Sequence, residues 1–122
     1  MNRSQPQLFI DFVLEGESLY LRFANFSDIE AYQVSVKFSQ PILALNQSKD
    51  LTKIKLFQQL TYFAPQKEFT LYIDEISHFL SSLQEDRIRI NIQYRNAENK
   101  IFKKKITHDL SIYQDLPIII KP

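Results

Sequence analysis

The chain has 122 residues, 44% of them hydrophobic, and a formal charge of +1. That is enough for one domain around one core and too little for two. The absence of cysteine excludes disulfides and thiolate metal sites, while ten Phe and six Tyr against a single Gly and no Trp point to a core filled by large side chains.

The N-terminal stretch MNRSQPQLFIDF carries one Arg and an early acid where a secretion signal has a basic cap and a longer apolar run, so a cytoplasmic location is expected. The longest apolar runs are a handful of residues, far short of the roughly 20 that cross a bilayer, and no membrane span is expected. Leu8, Ile10, Phe12 and Leu14 alternate with Phe9, Asp11 and Val13, the period of a strand. Glu15 to Ser18 reads as a tight hairpin in which Gly16 takes a positive φ.

In the next run Leu19, Leu21 and Phe23 share a face opposite Ser18, Tyr20, Arg22 and Ala24. After a turn-rich break at Asn25 to Glu30, Val34, Val36 and Phe38 face away from Gln33, Ser35 and Lys37. A helix would scatter these apolar sets, because neighbours at i and i+2 point to nearly opposite sides of it. A strand ending in Asn25, a short turn with Ser27 and Asp28, Ala31 and then alternating Val34, Val36 and Phe38 resembles the second-to-third strand passage of immunoglobulin-like sandwiches in bacterial proteins, including CARDB-type adhesion-related modules. Members of that group usually carry glycine in the turn. The resemblance implies an all-β, immunoglobulin-like antiparallel β-sandwich of about seven strands with one short connecting helix, mostly non-catalytic, and it transfers no site residues.

Pro41 lacks a donor and fits a sheet edge or a crossover, and Asn46 to Asp50 is the clearest loop. Thr52 to Phe63 reads as strand then loop, although Leu56, Phe57, Leu60 and Phe63 also match a helix face. Ala64 to Lys67 is a turn, and Phe69, Leu71 and Ile73 then alternate with Glu68, Thr70 and Tyr72. Asp74 to Asp86 has helical spacing at Ile76, Phe79, Leu80 and Leu83, with Asp74 as the expected cap. Arg87 to Arg95 alternates without a break. A three-residue loop of Ala97, Glu98 and Asn99 then pairs Tyr94 with Phe102 and Ile90 with Ile106, leaving Lys104 on the inner side near the sheet margin. The last strand runs from about Lys100 to Leu110. Residues 111–122 read as a tail of one domain spanning 1–122, and Ile118 to Ile120 should dock on the domain or meet a partner.

Chemistry is sparse. His78 and His108 lack ligand-spaced partners, and Asp109 points away from its neighbour His108 in a strand. The acid pairs Asp74 and Glu75, and Glu85 and Asp86, flank the expected helix, where carboxylates are ordinarily solvated or complement its dipole. No nucleophile elbow, phosphate loop or metal motif occurs, so no cofactor, metal or catalytic residue is expected.

Two surfaces remain. If the third strand joins the last two, one outer face gathers Lys37, Arg87, Arg89, Arg95, Lys103 and Lys105 with Gln33, Ser35, Asn91 and Gln93, uninterrupted by acid and without aromatics for stacking. The other sheet turns Phe9, Val13, Tyr20, Phe26 and Tyr72 outward among Asp11, Arg22, Glu68 and Thr70, which is apolar for a wet face. The expectation is a non-enzymatic interaction or assembly module that binds a protein partner, or itself as a homo-oligomer, through that apolar face or an edge strand. The second reading is a nucleic-acid or anion binder using the basic face.

Overall fold

The structure, a computed structural model, describes residues 5–115. In chain order it contains β1 (Leu8–Glu15), β2 (Ser18–Asn25), β3 (Ala31–Phe38), the two-residue β4 (Leu43–Ala44) and β5 (Lys49–Asp50), helix α1 (Lys55–Gln58) and β6 (Leu60–Phe63). Then follow β7 (Glu68–Glu75), helix α2 (Ile76–Ser82), β8 (Arg87–Arg95) and β9 (Ile101–Asp109). Each alternating run can bury its apolar side only by pairing and stacking. The result is an antiparallel sandwich: a sheet of order β1-β2-β7 faces one of order β6-β3-β8-β9. The chain changes sheet after β2, between β6 and β7, and again across α2, which is an immunoglobulin-like layout of seven main strands. No helix among the described residues is long and apolar enough to cross a membrane. Ile118 to Ile120 lies outside the described residues.

Turn chemistry explains the connections. Glu15 pairs with Ser18, leaving a two-residue loop whose first member, Gly16, has φ 60. The β8–β9 hairpin closes as the alternation predicts, Tyr94 opposite Phe102 and Ile90 opposite Ile106, with Asn99 taking the left-handed place at φ 65. Lys104 sits opposite Ile92, half-buried on an edge strand. The β2–β3 turn needs no glycine because the buried Asn25 side chain organises it. Its Nδ2 donates to the Ile29 and Phe63 carbonyls, and its Oδ1 accepts from Ser27 N and Oγ.

The core is joined by rings. Phe23 of β2 lies 5.4 Å from Phe57 of α1 and 4.8 Å from Phe63 of β6, and all three are fully buried. Burial of one such side chain contributes about 1.5–3 kcal/mol. Two latches tie the first strand to the opposite sheet. Tyr94 Oη donates to Pro6 O at 2.8 Å, and His108 Nε2 donates to Ile10 O at 2.8 Å.

Three expectations are corrected. Thr52 to Phe63 is not strand then loop: a 3-10 turn at Leu51–Lys53, opened by Asp50 accepting from Thr52 N, leads into α1 and then β6. The two-residue lead-in and four-residue helix are too short to show a period, and Phe57 is drawn inward by Phe23 and Phe38. The helix after β7 covers Ile76–Ser82, shorter than the expected 74–86, and its N-cap is Glu75, because Asp74 finishes β7 and spends its carboxylate elsewhere. Finally, the loop before β5 holds a left-handed turn of three non-glycine residues, Leu45 (φ 53), Asn46 (φ 58) and Gln47 (φ 66). Such backbone costs about 1–2 kcal/mol per residue. It is held by Leu45 N on Ile73 O and Asn46 N on Asp74 Oδ2, each at 2.8 Å.

Candidate functional site

The outer face of the three-stranded sheet is built row by row across the strands. Val13, Tyr20 and Tyr72 form one row, Asp11, Arg22 and Thr70 the next, and Phe9, Ala24 and Glu68 the third. Phe26, just beyond β2, folds back so that its ring stacks on Phe9 with centroids 4.1 Å apart and planes 18° apart. The Arg22 guanidinium sits 5.4 Å from the Phe9 centroid and 5.9 Å from that of Phe26, and the pair covers Ala24, which is only 1% exposed. At the other end Tyr20 and Tyr72 meet edge to face at 5.6 Å. Phe26 is 54% exposed and Tyr72 41%.

Charge on this face is loosely used. Arg22 lies 3.7 Å from Asp11 and 3.4 Å from Glu68, and its Nε, shielded from solvent, makes no hydrogen bond despite the second contact. Partial desolvation, then the nearby Asp74 and Glu75 carboxylates, raise the Tyr72 hydroxyl above its ordinary value, so it remains a donor. A notch of about 120 Å³ opens between Val13, Tyr20, Arg22 and Glu68. The five residues expected on this face therefore lie together, as two aromatic pairs separated by an ion cluster.

The four-stranded sheet gathers the basic set on its outer face. Lys37, Asn91 and Lys105 form one row, and Ser35, Gln93 and Lys103 the next. Arg89 stands opposite Thr107, and Arg87 opposite Asp109. Asp109 is thus an acid on a face expected to have none. Its carboxyl is held below its ordinary value, chiefly by accepting from the Ser111 hydroxyl and amide and less by the Arg87 charge.

The expectation that this face lacks aromatics is also corrected. Alternation counted back from Val36 and Val34 puts Tyr32 inside. A bulge between Tyr32 and Ser35, with Gln33 at φ 51, turns Tyr32 outward opposite Arg95 and opposite Tyr62 of β6. The two rings lie 5.4 Å apart, and Tyr32 Oη donates to Glu30 at 2.7 Å. That bond first, and then desolvation, raise the Tyr32 hydroxyl above its ordinary value, whereas for Tyr62 desolvation comes first and Glu30 second. A positive φ at a non-glycine residue leaves no mark in composition, so the sequence offered no signal for this pair.

His78 lies 3.3 Å from Asp74, one helical turn away, and His108 is occupied by Ile10 O. Among the described residues no three His, Asp or Glu side chains converge as a metal site would require.

No curated protein matches the chain. Solved structures of OgpA from Akkermansia muciniphila do match: a wild-type crystal form at 15% identity with a TM-score of 0.41, and a catalytically inactive form in complex with an O-glycopeptide substrate, glycodrosocin, at 16% and 0.38. Each match covers 88% of this chain but 29% of the neighbour, so this chain spans less than a third of that protein's length. The model of a domain of unknown function, DUF8453, matches residues 1–114, almost the whole chain, and the protein belongs to that family.

Proposed function

We propose that this domain is a non-enzymatic interaction module of the cytoplasm that binds a protein partner, or a second copy of itself, through the outer face of the three-stranded sheet. The observation that carries the reading is the exposed aromatic band of Phe9, Phe26, Tyr20 and Tyr72 around Arg22. Aromatic and arginine side chains dominate interface energetics, and the Arg22 Nε that makes no hydrogen bond has an unused donor in the middle of the band. The outermost strand β7 offers a second route, addition of a partner strand at its free edge. Its strand order supports the same kind of role as the CARDB-type modules that its second-to-third strand passage resembles.

The test is a pull-down from native cells at low and moderate salt, together with sedimentation of the purified domain, using wild type and Phe26→Ser/Tyr72→Ser. Both substituted side chains are exposed, so the melting temperature should barely move. The expected result is one protein, or a dimer, retained at both salts and weakened tenfold or more in the variant, since truncating an interface anchor costs about 2 kcal/mol or more. A monomeric wild type whose captured proteins are identical to those of the variant would sink the proposal.

A further inference from the structure

The cations of the four-stranded sheet are arranged as a track. β8 carries Arg87, Arg89, Asn91, Gln93 and Arg95 outward in succession, and at about 3.4 Å per residue they span roughly 27 Å. Lys37 flanks that line on one side and Lys103 and Lys105 on the other. Around Asn91 and Gln93 the three lysines border a groove of about 260 Å³. The ion pairs of the described residues lie elsewhere, at Arg22 and His78, so Lys37, Arg89, Lys103 and Lys105 carry charge that no carboxylate neutralises. At one end of the track stand Arg95, Tyr32 and Tyr62, the last 46% exposed, and at the other Asp109 closes it.

Edge protection does not account for this pattern. Lysines on β9 guard an outermost strand against pairing with another sheet. Lys37, Arg87 and Arg89 sit on β3 and β8, which already have a neighbour on each side and need no guard. An acidic peptide would satisfy the cations and leave the tyrosine pair and the amides of Asn91 and Gln93 unused. A duplex offers its phosphates but no unstacked base. An extended single strand uses every part: phosphates along the cations, base edges on the amides, and a base face on the tyrosines.

From this juxtaposition we infer that the outer face of β3, β8 and β9 binds single-stranded nucleic acid, with Lys37, Lys103 and Lys105 on the phosphates and Tyr62 stacking a base. The site lies on the sheet opposite the proposed protein-binding face, so the two readings stand or fall separately.

Fluorescence anisotropy with labelled oligothymidylate and oligouridylate tests it, the two strands distinguishing DNA from RNA. About four phosphate contacts give a slope of about −2.8 in log affinity against log salt, so binding should weaken roughly fifty-fold between about 50 and 200 mM salt. Lys103→Glu/Lys105→Glu, at exposed positions, should abolish binding at either salt. Tyr62→Ala should weaken it about tenfold while Tyr62→Phe binds like wild type, because the stacking face is kept. Phe26→Ser should bind like wild type. Failure of both strands to bind at about 50 mM salt overturns the inference. So does equal binding of a blunt duplex or of polyglutamate, or a Tyr62→Ala variant indistinguishable from wild type.

Discussion

Asp74 shows how one side chain takes on several obligations. Its side chain is 10% exposed, and its carboxylate accepts from Asn46 N and Glu75 N, each at 2.8 Å, and contacts His78 Nδ1 at 3.3 Å. Burial alone would push the carboxyl up. The two amides and His78 outweigh it, so the folded-state value lies below the ordinary 3.8. A carboxyl lowered on folding binds fewer protons in the folded state. Its contribution is therefore complete above the unfolded pKa and is lost as pH falls through the folded one. Asp74→Asn should destabilise the domain by about 2 kcal/mol at neutral pH, the scale of hydrogen bonds to a charged group. Denaturant melts should show that gap shrinking below about pH 4, and a gap constant with pH would rule out the charged acceptor as its source. The sequence showed Asp74 beside Glu75 at the start of a helical run. It could not show Asn46, because that amide arrives from a loop far away along the chain.

At the scale of elements, alternation served wherever a strand kept strict register. β8 and β9 were legible down to their pairing, since a slip by one residue would have turned every isoleucine outward. β3 was legible only from Val34 onward. The bulge at Gln33 adds a residue without changing composition, and the flip that carries Tyr32 to the outer face followed from it. α1 failed for the opposite reason: four residues make about one turn, too few to repeat. The bulge itself is open to test. Gln33→Val places a β-branched side chain at φ 51 and should cost about 1–2 kcal/mol in an equilibrium melt. A neutral effect would mean that the left-handed backbone at this position carries no strain.

For the molecule as a whole, composition and period established two stacked sheets, and the contrast between an aromatic outer face and a basic one could be read from which residues alternate outward. The completion of each face could not. Phe26 reaches Phe9 from beyond its strand, and Tyr62 comes from a segment whose secondary structure was ambiguous. Both depend on where the chain doubles back. The left-handed turn at Leu45, Asn46 and Gln47 carries a consequence for timing. Its anchors, Ile73 and Asp74, come 28 residues later, so a chain that acquires structure from its N-terminal end has nothing to hold this strained backbone until β7 arrives. The turn is then the last corner to set and the first to let go. The Asn46 amide should exchange with solvent well before those of β8, and equal protection at both would show that the turn opens only when everything else does.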